Sequence, residues 1–300
     1  MRLRHEIFLI VAMVIWSGSW TSGKLIANSA GAELTLFWRC VFSSIALAPL
    51  VYFTGEKFVI APRQLAWAAL GGGILTVYSF LFFVGLKTGY AGAAGVLVTS
   101  MNPIFTYFLT RVIFKQRTKN ASGHGATFTG RDVLGLALGL GGGVVLLEVW
   151  HLSHDQLLIG GNLFFLVCAL IYAFVTITTN AATKTVSIIV YSFYINAFGA
   201  LYLLPFVGRS ILTTPDLSDT GYWFNIFYLG VISNAFATTV YFTAVAKLGS
   251  ARASSYIFIV PATALAIAAW YLGEPVKTTT VLGGLIALIA VMLLRKAALK

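Results

Sequence analysis

Charge is scarce in this 300-residue sequence: Asp, Glu, Lys and Arg together make up 10% of it. An average soluble domain carries about 25%. So few charges cannot coat a water-facing surface, which excludes an ordinary soluble fold. Acids are rarest, nine against twenty Lys and Arg. Two cysteines and four histidines leave no room for a disulfide framework and little for a metal enzyme. Cys40 and Cys168 read as small buried apolar residues. His151 and His154, beside Glu148 and Asp155, read as a solvated loop rather than a metal site. HExxH, GxSxG and GxxxxGK[ST] are all missing, so neither zinc-protease, serine-hydrolase nor phosphate-loop chemistry is expected. No cofactor or metal is expected. The N-terminus runs into an apolar stretch without a clear small-residue cleavage site, so no cleavable signal peptide is expected.

Apolar residues fill the space that charge leaves: 59% of the chain, with mean hydropathy +0.89. Crossing a hydrocarbon core takes about 20 mostly apolar helical residues. That ruler predicts ten spans, at 7–26, 34–53, 66–86, 91–114, 133–149, 158–178, 186–207, 223–246, 253–272 and 281–294. The runs are continuous and about twice the length of a barrel strand, so an all-α polytopic membrane protein is predicted. With the N-terminus inside, fifteen Lys and Arg fall in inside loops and four outside, Arg39 lying within a span. Basic residues favour the cytoplasmic side, so both termini are predicted inside. The net charge of +11 is thus an orientation signal, and no nucleic-acid partner is expected.

The two halves, 1–150 and 157–300, resemble each other. An offset of 156 lays Phe8 on Phe164, Phe37 on Phe193 and Pro49 on Pro205. Offsets of 160 and 158 lay Lys87 on Lys247 and Pro103 on Pro261. The first half carries about ten extra residues near 118–127, in an inside loop. Five helices per half is an odd number, so the second half is predicted to sit upside down relative to the first. Such 5+5 inverted repeats are typical of secondary transporters, with the substrate site near the midplane.

The residues that repeat carry a family resemblance. They are 12–16, 37–39, 85–87, 91–103 and 134–147 in the first half, and 169–172, 247–261, Gly273-Glu274 and 282–284 in the second. Over nearly its whole length the chain resembles the drug/metabolite transporter superfamily, in particular its EamA-type ten-helix permeases. The resemblance implies a central cavity lined by the first, third and fourth helices of each half, with the fifth at the periphery. It also implies transport of amino acids, other metabolites or drugs, often outward, by proton coupling or exchange. Gln116 stands where the family commonly has a Glu, as Glu274 does in the second half.

Arg39 is the cation inside a span, and it reads either as a charge for a substrate carboxylate or for gating, or as a snorkelling arginine that fixes helix packing. Pro103 and Pro261 fall within equivalent fourth helices, where freed carbonyls can face a cavity; Ser100 and Asn102 flank the first. Polar aromatics and amides inside spans are the remaining candidate substrate contacts: Trp16, Trp20, Tyr78, Tyr172, Tyr194, Asn196, Asn234, Tyr241 and Tyr256. For each, interhelical bonding or ring packing is the competing account. Lys24 and Glu274 read as outer-end charges that either pair across the mouth or anchor at the interface. No acid lies near the middle of a span, so a midplane proton carrier has no obvious candidate. The glycine ladder Gly135, Gly139 and Gly143, with Gly141 and Gly142 between, and the pairs near Gly72 and Gly283 read as close helix contacts.

The expected function is export of a small organic solute across the cell inner membrane by alternating access, coupled to a proton or a counter-substrate. The rival readings are an intramembrane enzyme and a lipid-handling protein.

Overall fold

The computed structural model describes residues 2–109, 130–148, 150, 161–213, 216, 218–241, 243 and 256–298. Ten principal helices follow one another among them: α1 (Arg2–Ile26), α2 (Ala32–Phe53), α3 (Pro62–Thr88), α4 (Ala91–Phe108), α5 (Gly130–Leu147), α6 (Gly161–Ala182), α7 (Ile188–Val207), α8, α9 (Ile259–Leu272) and α10 (Thr278–Ala298). The eighth, α8, runs over Thr220–Phe227 and continues as a π-helix over Tyr228–Ala237. The described residues contain no strand. The extra loop at 118–127, Gln116 and the last residues of the predicted fourth span lie outside the described residues.

Local chemistry sets the helix ends. Pro62 starts α3, where its missing N–H loses no hydrogen bond, and Gln64 Oε1 reaches back to Ala61 N at 2.8 Å. Asp219 caps α8, accepting from Tyr222 N at 2.9 Å. Gly273, at φ +65°, turns the chain sharply after α9.

Among the described residues, five helices are long and apolar enough to cross a membrane: α1 over Ile7–Ile26, then α2, α3, α6 over Leu163–Ala182, and α7. Shorter apolar stretches lie in α5, α9 and α10. The side chains are arranged for hydrocarbon rather than water. Ile45 is 67% exposed and Trp270 85%, while Ser17, Ser43 and Ser79 are fully buried. Without water, polar side chains find partners only inside the bundle. The chain is a multi-pass membrane protein.

Packing follows a reciprocal pattern. Helix α1 lies against α8 and α9, and α6 lies against α3 and α4. Helices α2 and α7 pack on each other, as do α5 and α10. Contacts among residues 22–35, 86–92, 148, 222–225 and 274–279 gather those segments at one end of the bundle, the Lys24 end. Contacts between 58 and 194 and between 64 and 185 join the opposite end.

Helices α5 and α10 touch backbone to backbone. A Cβ on Gly142 would lie 3.0 Å from Ala287 N and Gly283 O; one on Gly283 would lie 2.9 Å from Gly142 O. Gly139 instead meets Ile104 of α4, and a Cβ on Gly141 would meet nothing within 4 Å. The glycine run therefore serves two neighbours. Gly283→Ala should destabilise the protein by about 1–3 kcal/mol through overpacking, read as a lowered unfolding midpoint in detergent. Gly141→Ala should leave that midpoint unchanged or slightly raised.

Candidate functional site

A polar knot ties α2, α7 and α8 together near mid-bundle. Asn234 Nδ2 donates to Asn196 Oδ1 at 2.8 Å and to Ser43 Oγ at 2.9 Å. The Ser43 hydroxyl lies 2.8 Å from Arg39 O and 3.0 Å from Gly230 O. Asn196 also donates to Ser192 O. Asn234 is thus held by protein on both sides. It stands in the π-helical stretch, whose wider turn presents Asn234 to α2 and α7 while its neighbour Ser233 meets Ser19 of α1. Such insertions are frequent at functional sites, and nothing in the sequence marks this one.

Arg39 does not snorkel. It lies seven residues into α2, about 10 Å below the helix start. Its Nη2 donates to Ser79 Oγ at 2.7 Å. Ser79 is nine residues from the end of α3, about 13 Å deep, so the guanidinium points across the bundle at constant depth. Its Nε is buried without a hydrogen-bond partner. Beside it, Tyr78 of α3 and Tyr172 of α6 bring their rings 4.9 Å apart, and Phe83 lies 5.9 Å from Arg39 Cζ. The structure thus gathers Arg39, Tyr78 and Tyr172, with Ser79, a residue the sequence reading did not single out. A lone serine in an apolar helix carries no distinguishing signal, because it can bond its own helix equally well.

The other candidates are dispersed. On the α1–α8–α9 seam, Trp16 Nε1 donates to Ser233 O at 3.2 Å, and its ring lies 5.1 Å from Tyr241. Tyr256 packs against the same apolar cluster. Trp20 is buried, its ring 5.0 Å from Phe82. Trp16 and Trp20, four residues apart, therefore meet different helices. Ser100 is buried in α4, and Asn102 Nδ2 lies 3.5 Å from Ala169 O of α6. Pro103 is interior to α4, its side chain outside the described residues. Pro261 instead sits in the first turn of α9, just after a 3₁₀ turn at Tyr256–Phe258, so the two prolines are not equivalent within their helices. Tyr194 is at the end opposite Lys24, donating to Phe58 O at 2.6 Å, away from the Arg39 cluster.

Lys24 and Glu274 neither pair across a mouth nor stand free. Both hold the turn between α3 and α4. Lys24 Nζ donates to Leu86 O at 2.6 Å and Gly89 O at 2.9 Å, at the α3 C-terminus. Glu274 accepts from Ala91 N at 2.7 Å and Gly92 N at 2.8 Å, at the α4 N-terminus. Each charge matches the partial charge of the helix end it meets. Nearby, Lys277 Nζ pairs with Glu148 at 2.8 Å. The α1 Lys and the α9–α10 connection thus grip α3 and α4 at the Lys24 end. Toward the other end, an apolar groove of about 550 Å³ opens between α1, α2 and α8, among Phe8, Pro49, Phe53, Phe236 and Thr243. The described residues hold no cluster of His, Cys, Asp or Glu able to bind a metal. The arrangement is equipped for non-covalent binding, through one cation, hydroxyls, amides and aromatic rings.

Several similar proteins are transporters by name. The chain is 22% identical to an uncharacterized transporter of Archaeoglobus fulgidus, covering 98% of each. It is 24% identical to a probable terminal-alkyne amino-acid exporter of Streptantibioticus cattleyicolor, covering 97% of this chain and 93% of that one. One solved crystal structure shares the fold at TM-score 0.63 and 16% identity, covering 98% of this chain and 96% of that one. The profile of the EamA-like transporter family matches twice, over residues 3–147 and 159–296. With the apolar helices and these matches together, the chain belongs to the EamA-like transporter family and is a multi-pass membrane transporter.

Proposed function

We propose that this transporter exports a small organic solute across the cell inner membrane by alternating access. Its ten helices span the bilayer as two five-helix units, 1–150 and 157–300, of opposite orientation. One observation carries the reading. Gly72 of α3 meets Ile195 O and Phe198 Cβ of α7, where an added Cβ would lie 2.9 Å from each. Gly230 of α8 meets Arg39 O and Phe42 Cβ of α2, at 3.0 and 2.8 Å. Gly72 and Gly230 are 158 apart; Arg39 and Ile195, and Phe42 and Phe198, are each 156 apart. The two contacts are thus one contact repeated, with the halves exchanged. The reciprocal helix packing and the double family match support the same reading. Two such halves can trade arrangements, so that a state closed at one end becomes its counterpart closed at the other.

In this scheme both termini are cytoplasmic and the Lys24 end faces outward, closed. The relative named as an amino-acid exporter supports an amino-acid-like cargo and outward direction. A proton or a counter-substrate drives the cycle. The central cavity forms between the halves, where Arg39, Tyr78, Tyr172 and the Asn234 knot lie.

Purified protein in liposomes, screened with labelled amino acids and cationic drugs, should give saturable flux for at least one solute. Folded protein that moves none of them would overturn the proposal. Reporter tags on both termini should be protected in intact cells and reached only after permeabilisation. Glu274→Gln, which removes the charge at the α4 N-terminus, should loosen the Lys24 end. A cysteine introduced at the buried Ser22, with Cys40 and Cys168 replaced, should then react severalfold faster with an impermeant maleimide added outside. An unchanged rate would mean that Glu274 does not hold that end shut.

A further inference from the structure

Arg39 presents more hydrogen-bond donors than the protein takes up. A guanidinium carries five N–H donors in a planar fork and keeps its charge inside proteins. Among the described residues it meets the Ser79 hydroxyl and the neighbouring Cys40 thiol, and its Nε is buried with no hydrogen-bond partner. No described carboxylate stands within ion-pair distance of it. The rings of Tyr78 and Tyr172 stand beside it, 4.9 Å from each other. Unused guanidinium donors therefore stand beside three aromatic rings, with no described carboxylate to accept from them. A positive charge about 10 Å inside a spanning helix is expected to pair or to line a pathway. Its location matters too: α2 and α3 belong to one half and Tyr172 to the other, so a ligand held here touches both.

We propose that Arg39 binds the carboxylate of the transported solute, with Tyr78 and Tyr172 beside it, so that the cargo is an amino acid or another carboxylate-bearing molecule. The guanidinium fork matches a planar carboxylate with two parallel N–H···O bonds, which a neutral amide cannot reproduce. The inference rests on the transport reading above and adds the residue that holds the cargo.

The test uses the purified full chain and two probe sets, the L-amino acids and their carboxamides. In proteoliposomes, the amino acid that is transported should be inhibited by its own carboxamide at least about tenfold less well than by itself. In Arg39→Gln that preference should vanish, the acid competing no better than the amide. In detergent, the same amino acid should raise the unfolding midpoint of the wild type but not of Arg39→Gln. Saturable flux that treats acid and amide alike in the wild type overturns the inference while leaving transport standing. So does a preference that survives in Arg39→Gln. If no solute is moved, the transport reading fails; stabilisation by an amino acid over its amide then still assigns the site, and no stabilisation by any of them overturns it. The wild-type comparison needs no variant, so a misfolded R39Q leaves that arm intact.

Discussion

The structure depends on one constraint: within hydrocarbon there is no water to satisfy a polar group, so every donor and acceptor must find its partner in protein. For the backbone this leaves helices. For side chains it turns the ordinary arrangement inside out, with isoleucine and tryptophan outward and serine, threonine and asparagine inward. The Asn234–Asn196–Ser43 knot is the clearest consequence. It closes three helices around one another by hydrogen bonds that would gain little in water. Glycines let the same helices come close enough to make them, Gly230 against the Arg39 carbonyl and Gly72 against that of Ile195.

Against that background the unsatisfied groups stand out. The Arg39 guanidinium, with a buried Nε that has no hydrogen-bond partner, is the place where the bundle leaves bonding capacity open. The charges at the Lys24 end behave oppositely. Lys24 and Glu274 are fully engaged, each on the terminus of a helix from the first half. Each of these charges meets the opposite partial charge of the helix end it sits on.

Much of this was legible in the residues. Long apolar runs and scarce charge implied a polytopic helical protein, and the glycines at 142 and 283 implied close helix contacts, which the backbone approach of α5 and α10 supplies. Other assignments were beyond sequence reach. Trp16 and Trp20 share a helix face by spacing, yet one meets α8 and the other α3, because several neighbours divide that face. Pro103 and Pro261 align in sequence, but Pro261 lies in a first helical turn, where it breaks no interior bond. Ser79 and Ser43 were invisible because an isolated hydroxyl looks the same whether it bonds its own helix or another.

The sequence by itself determined the solvent, the helical class and the family, because those follow from composition, run length and the order of repeated residues. The tertiary structure alone decided which way the few charges turn. Arg39 at constant depth toward Ser79, rather than up to the interface, and Glu274 on a helix terminus, rather than on a cation, are choices between partners far apart in the chain. Such partners lie 40 and 183 residues away. Only packing brings them within the few ångströms over which a hydrogen bond acts.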